Sequence, residues 1–203
     1  MRRGAYVAVV LALAVPAPGW CGDGVVALQT AAPSCADESR NRYVPCGNGT
    51  VTDNRTGLVW LANADCFGLL DWFEAMAAVA GLSDLSDDAV TCTDLTPDQC
   101  DCGLSDGSSP GEWRLPSIEE WEVMIEEVFC NGPRITDDTG AYCWVPQCVD
   151  QGSCSFYGVQ VPYWSSSTWL TNPADALSVD LSGYLLHGDK GGTRYVWPVR
   201  GGQ

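Results

Sequence analysis

The fold of this 203-residue chain is decided first at residues 48–60, which read Asn48-Gly49-Thr50-Val51-Thr52-Asp53-Asn54-Arg55-Thr56-Gly57-Leu58-Val59-Trp60. Turn-forming residues stand at the start and in the middle of this stretch, and β-branched or aromatic residues fill the runs beside them. Short β-prone runs joined by Asn, Asp and Gly are typical of hairpins. The stretch therefore predicts a β-hairpin, whose central turn is held by side-chain to backbone hydrogen bonds of Asp53 and Asn54.

Two helices are predicted after the hairpin. Apolar residues within 67–82 keep helical spacing, acidic residues favour the first turns, and Gly81 suits the C-terminal end. The second helix opens with a capping box, in which Ser117 precedes Glu120 by three residues, and its apolar stripe ends near Phe129.

Three β-prone runs follow at 163–170, 176–181 and 193–199, separated by turn residues. Two Cys-rich segments, near 83–112 and 130–160, carry no helical or strand period. A hairpin, two helices and then several strands favour an α+β fold over a βαβ arrangement. We therefore expect an α+β domain with two helices packed on a small antiparallel sheet and with long loops stapled by disulfides.

The chain contains eleven cysteines and a single histidine, His187. Close spacings such as Cys100-Asp101-Cys102 are unlike the paired knuckles of structural zinc sites, and the density is typical of disulfides in an exported protein. An odd total leaves at least one cysteine unpaired within the monomer, and Cys21 is our candidate. The ten cysteines expected in disulfides are Cys35, Cys46, Cys66, Cys92, Cys100, Cys102, Cys130, Cys143, Cys148 and Cys154.

The N-terminal segment resembles a secretory leader. Two arginines precede an apolar run that is too short to cross a bilayer, which predicts a signal peptide at 1–19. A lipid anchor on Cys21 is disfavoured by the bulky Trp20 before it. Residues 20–41 carry no period and are expected to be a poorly ordered lead-in to the domain at 42–202. The expected location is secreted, at the cell surface or in the periplasm of a bacterium.

The chain is strongly acidic, with a formal net charge of −16. Such a charge repels polyanions, so nucleic acid is not an expected partner. Residues 56–113 contain no Lys or Arg, and Asp84, Asp87 and Asp88 supply the oxygen ligands that calcium prefers. Two interpretations stay open, a calcium site at these three residues and a solvated acidic insertion with no ion. No other cofactor is expected.

Four ordered motifs lie at 47–60, at 113–117 (Trp-Arg-Leu-Pro-Ser), at 163–168 (Tyr-Trp-Ser-Ser-Ser-Thr) and at 199–202 (Val-Arg-Gly-Gly). Together they resemble the Lcl C-terminal domain family, which is named for the C-terminal domain of a collagen-like bacterial adhesin. The resemblance covers about residues 42–202, and the two Cys-rich insertions have no counterpart in it. It implies an extracellular or envelope binding module, and the adhesin of that name recognises sulfated glycans.

A second, weaker similarity concerns the fold. Residues 113–122 are similar to the stretch that opens a helix in formylglycine-generating enzyme-type domains, which implies a C-type-lectin-like fold. The redox-active thiol pair of those enzymes would need cysteines in the C-terminal strand region, and none follows Cys154. A sulfated ligand also suits this acidic chain poorly, unless its cations converge on one patch. Those cations are Arg114, Arg134, Lys190, Arg194 and Arg200.

Nine tryptophans are an excess for a chain of this size. Amphipathic aromatic faces stack on sugars and anchor protein partners, whereas Trp60, Trp121 and Trp197 lie in periodic runs and are predicted to be core residues. Trp164 and Trp169 flank a run of hydroxyl residues. For these two tryptophans, ligand binding and core packing both stay open as interpretations. Arg114 and Arg200 could contact a ligand, and the alternative is that each forms a structural ion pair with a carboxylate. The candidate ligand-binding residues are Trp164, Ser165, Ser166, Trp169, Arg114 and Arg200.

No catalytic constellation is recognisable. The chain has no Gly-x-Ser-x-Gly elbow, and His187 is expected to be a surface residue in a turn region. We therefore predict an exported, non-catalytic, adhesin-like module that binds a glycan or a cell-envelope polymer. The alternative is a disulfide-bridged structural or assembly protein of the bacterial envelope, with a protein partner. The sequence leaves the oligomeric state open.

Overall fold

The first sheet forms around the predicted hairpin. In the computed structural model, which describes residues 35, 40–84, 102–125 and 130–201, the hairpin consists of β2 and β3 and is extended on both sides. The sheet order is β1-β2-β3-β9, and every pair is antiparallel. The bounds are β1 Tyr43–Pro45, β2 Thr50–Asp53, β3 Val59–Leu61 and β9 Val199–Arg200. The hairpin prediction is confirmed, and the Asp53 carboxylate accepts from the Arg55 N–H at 2.9 Å in its turn.

A second sheet has the order β4-β8-β5-β6-β7. Its pairs are antiparallel except β5 with β8, which run parallel. The α+β class is thus supported, while the single small sheet that we expected is two sheets. The bounds are β4 Leu69–Leu70, β5 Tyr163–Thr168, β6 Asp175–Val179, β7 Leu185–Asp189 and β8 Arg194–Tyr195.

Both predicted helices are present. The first, α1 at Trp72–Gly81, is capped by Asp71, whose carboxylate accepts from the Glu74 N–H at 2.8 Å. The second, α2 at Ile118–Ile125, follows a capping box in which Ser117 N–H donates to the Glu120 carboxylate at 2.8 Å. The predicted end of this helix near 129 lies outside the described residues.

Three sequence-based expectations are corrected. The segment 130–160 was expected to be irregular, yet it contains the short helix α3 at Pro146–Asp150. The run 193–199 was expected to be one strand, but it divides into β8 and β9, which belong to different sheets. Pro198, which has no backbone N–H for a ladder, precedes β9. His187 was placed in a turn region, whereas it lies within β7.

The core between the helices and sheets is built on aromatic rings. Trp60 lies 5.1 Å from Trp121 and 5.4 Å from Trp197 between ring centroids, and Trp121 stacks on Tyr163 at 5.5 Å. All four side chains are buried, which confirms the core prediction for the three tryptophans. Aromatic pairs at this separation add specific attraction to the burial of their apolar area.

Four disulfides join described cysteines, and three of them have at least one cysteine in a Cys-rich segment, as predicted. They are Cys35–Cys46, Cys66–Cys102, Cys130–Cys143 and Cys148–Cys154. Cys21, Cys92 and Cys100 lie outside the described residues, as do the leader at 1–19 and most of the lead-in at 20–41. In the described part of the chain, no helix has the length and apolar character needed to cross a bilayer.

Candidate functional site

The sequence motifs meet one another in space. Arg114 and Val199 exchange two backbone hydrogen bonds of 2.9 Å, so the second motif is paired with the last. Ser166 donates its backbone N–H to the Pro116 carbonyl at 2.8 Å, and Ser167 Oγ accepts from the Ile118 N–H at 3.0 Å. The motifs therefore connect the two sheets to each other and to the start of α2. These contacts give the motif residues a structural role.

The two arginines of these motifs are engaged within the protein. Arg114 makes a two-pronged ion pair with Glu120, with N–O distances of 2.7 and 2.6 Å, and also donates to the Gly201 carbonyl at 3.0 Å. Arg200 is 1% exposed and lies 3.0 Å from the carboxylate of Asp106. The structural alternative therefore holds for both, and the prediction that Arg200 contacts a ligand is wrong because solvent does not reach it.

Two further predicted ligand residues are buried. Trp164 donates its indole N–H to the Leu70 carbonyl at 2.9 Å, and the Arg194 guanidinium lies 5.0 Å from its ring centroid. Ser165 Oγ donates to the Leu177 carbonyl at 2.9 Å. The expectation of ligand contact is corrected for Trp164 and Ser165, because both side chains are used in packing. Ser166 is half-buried and donates its hydroxyl to the Pro116 carbonyl at 3.3 Å.

Trp169 is one of the predicted ligand residues that the structure does not bury, together with Ser166 and Arg114. It directly follows β5 and is half-buried, and its backbone N–H donates to the Asp175 carbonyl at 3.0 Å. Its indole stacks on the imidazole of His187, with ring centroids 3.5 Å apart and planes inclined by 20°. His187 Nδ1 lies 3.0 Å from Asp175 Oδ2. We call these three side chains, Trp169, His187 and Asp175, the Trp169 platform.

Strand register explains how the platform is assembled. In the β6–β7 ladder, Asp175 is opposite Asp189, and Leu177 is opposite His187. Residues two apart on one strand share a face of the sheet, so Asp175 and His187 are diagonal neighbours on one face. The loop between β5 and β6 then brings Trp169 over that face. Sequence reasoning missed this role of His187 and Asp175, because the segment Leu185–Asp189 has no clear alternation of apolar and polar residues, and its alternating exposure is seen only in the structure.

Trp169 differs from the other described tryptophans in the exposure and hydrogen bonding of its indole N–H. Of the eight tryptophans in the described ranges, only Trp72 and Trp169 are not buried. Trp72 donates its indole N–H to the Ser165 carbonyl at 2.9 Å. Trp60 is buried with its N–H unpaired. Trp169 alone presents, at the surface, an indole N–H that meets no acceptor among the described residues. This N–H is a hydrogen-bond donor that no described residue uses.

A second aromatic and cationic cluster lies beside the platform. The Lys190 ammonium sits 4.2 Å from the ring centroid of Trp72 and donates to Thr168 Oγ1 at 2.8 Å. The backbone N–H of Trp72 in turn donates to the Lys190 carbonyl at 3.0 Å, which ties the start of α1 to this turn. The charge of Lys190 is thus already in contact with protein groups.

Four of the five cations considered for a sulfated ligand are engaged with carboxylates or aromatic rings of the protein. Arg114 and Arg200 hold carboxylates, Lys190 covers Trp72, and Arg194 packs on Trp164. Arg134 lines a separate groove of about 530 Å³ together with Glu119 and Glu122. These engagements and the two carboxylates beside Arg134 do not favour the binding of a polysulfate.

The proposed calcium ligands are only partly covered by the structure. Asp84 accepts a hydrogen bond from the Gly107 N–H at 2.7 Å, and Asp87 and Asp88 lie outside the described residues. Across residues 35, 40–84, 102–125 and 130–201, no group of three or more His, Cys, Asp or Glu side chains is placed to hold a metal ion. The calcium interpretation stays a prediction.

Comparison with known proteins identifies the family. The model of the Lcl C-terminal domain family matches residues 49–200, which is more than half of the chain. No curated protein matches the chain, and no solved structure matches it. The family indicates an adhesin-like extracellular domain, and the disulfides of the described residues fit that location. The chain belongs to the Lcl C-terminal domain family.

Proposed function

We propose that this protein is an exported, non-catalytic, adhesin-like module that binds a glycan or cell-envelope polymer through the Trp169 platform. The observation that carries the proposal is the half-buried indole of Trp169, with its free N–H, stacked on His187 beside Asp175. Family membership and the disulfides support the export, for which the predicted leader at 1–19 supplies the signal.

The chemistry of the platform suits a sugar. An indole face packs against the C–H face of a pyranose and provides a large contact area at low entropy cost. When His187 Nδ1–H donates to Asp175, Nε2 keeps its lone pair and accepts a hydrogen bond. The Trp169 N–H supplies a donor beside it. One aromatic face flanked by a donor and an acceptor matches the alternating apolar and hydroxyl surfaces of a sugar ring.

A non-catalytic role is the simplest account of the His187–Asp175 pair. In a catalytic triad the imidazole also holds a nucleophile within hydrogen-bond reach. Within the described residues, the His187 ring hydrogen-bonds to Asp175, and no Ser, Thr or Cys side chain pairs with it. Its ring face is occupied by Trp169 instead. No cofactor is part of this proposal. Whether binding requires calcium at Asp84, Asp87 and Asp88 is left to the experiment below.

The second candidate function is a structural or assembly protein of the bacterial envelope. Leu69 on β4 is 53% exposed, and Phe73 and Met76, one helical turn apart on α1, are 62% and 37% exposed. Neighbouring exposed apolar side chains favour a protein partner. The C-type-lectin-like fold is likewise a proposal, supported by two helices set against antiparallel-rich sheets.

A glycan array on the mature protein, with and without calcium, tests the first function. The variant Trp169→Ala removes the platform, and Tyr142→Ala is the matched control, because Tyr142 is an exposed aromatic residue in the second Cys-rich insertion. We expect binding by the wild type and by the control, and none by Trp169→Ala. A folded wild type that binds no glycan in either condition, but retains a dedicated protein partner, would select the envelope-assembly alternative.

A further inference from the structure

We infer that the Trp169 platform selects glycans that are uncharged or carry an amine, and that it disfavours sulfated glycans. This inference rests on the proposed function, because it names the ligand class of the same site. It departs from the sulfated ligand of the adhesin for which the family is named. Three observations carry it: the charges on the platform face, the hydrogen-bonding groups it offers, and the engagement of the nearby cations.

The platform face is negatively charged. Asp175 is a member of the platform, and Asp189 is opposite it in the β6–β7 register, so both carboxylates belong to one face. Asp189 is exposed, and its Oδ1 accepts from the Gly191 N–H at 2.7 Å. A sulfate that docks on Trp169 would meet this pair of carboxylates within a chain of net charge −16. Like charges at such short range repel even in water.

The hydrogen-bonding groups of the platform and of the neighbouring Asp189 are mainly acceptors. Two carboxylates accept only, and the Nε2 of His187 accepts when its Nδ1–H donates to Asp175. A sulfate ester also only accepts, so it finds a single donor there, the Trp169 indole N–H. Sugar hydroxyl and ammonium groups donate, and they complement these acceptors. An ammonium group gains a charge-assisted bond in addition.

The cations near the platform already contact other groups of the protein. Lys190 follows Asp189 in the chain, but its ammonium is held between the Trp72 ring and Thr168 Oγ1. Arg194 donates to Ser178 Oγ at 3.3 Å, on the opposite face from Leu177 and His187. Neither is free to neutralise a sulfate on Trp169 without giving up a contact. The local field therefore favours cationic or neutral ligands.

The test uses sets of glycans that share a backbone and differ in charge. Chitin oligosaccharides with chitosan oligosaccharides, and dextran with aminodextran and dextran sulfate, are presented to the mature protein at physiological salt. We expect neutral or amine-bearing members to bind, with at least tenfold weaker binding in Trp169→Ala. Sulfated members should bind at least tenfold more weakly than their unsulfated counterparts.

Charge variants of the platform and of the neighbouring Asp189 provide the second arm of the test. In Asp175→Asn and Asp189→Asn, amine-bearing members should lose affinity several-fold while neutral members change less. The Tyr142→Ala control should bind every member as the wild type does.

The outcomes separate the inference from the proposed function. Trp169-dependent binding in which sulfated members bind most tightly would overturn the inference and leave the proposed function intact. Binding that Trp169→Ala does not weaken would overturn the platform as the site. A folded protein that binds no member of any set would overturn both.

Discussion

The guanidinium of Arg200 and the carboxylate of Asp106 form an ion pair of 3.0 Å with side-chain exposures of 1% and 0%. The contact joins Arg200 Nη2 to Asp106 Oδ2 and lacks hydrogen-bond geometry, since Oδ2 has no hydrogen-bond partner; Arg200 Nε is also unpaired. Arg200 also donates to Glu112 at 3.2 Å, and its guanidinium lies 5.2 Å from the ring centroid of Trp113. A C-terminal strand is thereby joined to the end of the first Cys-rich insertion.

Replacing Arg200 by Ala should lower the free energy of unfolding by about 3–5 kcal/mol, because Asp106 would be left as an uncompensated buried charge. The matched control is Arg114→Ala, which breaks a more exposed pair and should cost about 1 kcal/mol. Urea denaturation with the disulfides intact measures both. Equal losses in the two variants would contradict the buried-pair interpretation.

Trp169→Ala should leave the free energy of unfolding within about 1.5 kcal/mol of the wild type, because the change removes one surface stack. Trp121→Ala, at the centre of the aromatic core, should cost about 3–5 kcal/mol. Thermal or urea unfolding of the two variants gives the comparison. If Trp169→Ala were as destabilising as Trp121→Ala, its loss of glycan binding would no longer report on the site.

The disulfides should differ in their effect on stability according to the loop that each one closes. Cys66–Cys102 spans 36 residues, and Cys148–Cys154 spans 6. Chain entropy predicts a loss of about 4 kcal/mol when the first pair is replaced by alanines and about 2 kcal/mol for the second. Urea unfolding of each double variant checks the order, and a larger loss for the short loop would show that native-state contacts dominate.

Asp138 should make stability depend on pH in an unusual direction. Burial raises the pKa of the Asp138 carboxyl, against the lowering by two hydrogen bonds from Ser155 of 2.8 and 2.7 Å. A raised pKa in the folded state means that ionisation disfavours folding. The contribution of this group is therefore fully present below the ordinary Asp pKa of about 3.9 and is lost as pH rises through the folded value.

The variant Asp138→Asn removes the charge, and its amide can still accept from the Ser155 N–H through Oδ1 and donate to Ser155 Oγ through Nδ2. Its Tm relative to the wild type should be higher at pH 7 than at pH 3.5, as measured by calorimetry at both values. Asp138→Ala removes the hydrogen bonds as well and should lower Tm at both. A relative Tm for Asp138→Asn that falls as pH rises would contradict the assignment.

Much of the fold could be predicted from local sequence signals. The hairpin at 48–60, the two helices, the capping box at Ser117 and Glu120, and the β-prone run at 163–170 all depend on turn, cap and period rules that act over a few residues. The burial of Trp60, Trp121 and Trp197 followed from the periodic runs that contain them. The strand at Leu185–Asp189 was missed because Gly188 and the single histidine weaken its β signal.

The candidate site was predicted less well, because exposure depends on neighbours that are distant in sequence. Trp164 and Trp169 stand five positions apart beside the same run of hydroxyl residues, yet the first is buried under Arg194 and the second lies on His187. Arg200 is of a residue type that often binds ligands, and its sequence neighbours do not include its partner. The buried ion pair with Asp106 is seen only in the tertiary structure.

The amino-acid sequence by itself determined the family, the α+β class, the caps, the hairpin and the excess of cysteines, since these depend on residue type and short-range spacing. The tertiary structure decided which tryptophan faces solvent, which arginines are neutralised and which cysteines pair. Those outcomes depend on contacts between residues that can be more than a hundred positions apart, such as Trp60 and Trp197, and such contacts exist only after the sheets and helices have packed.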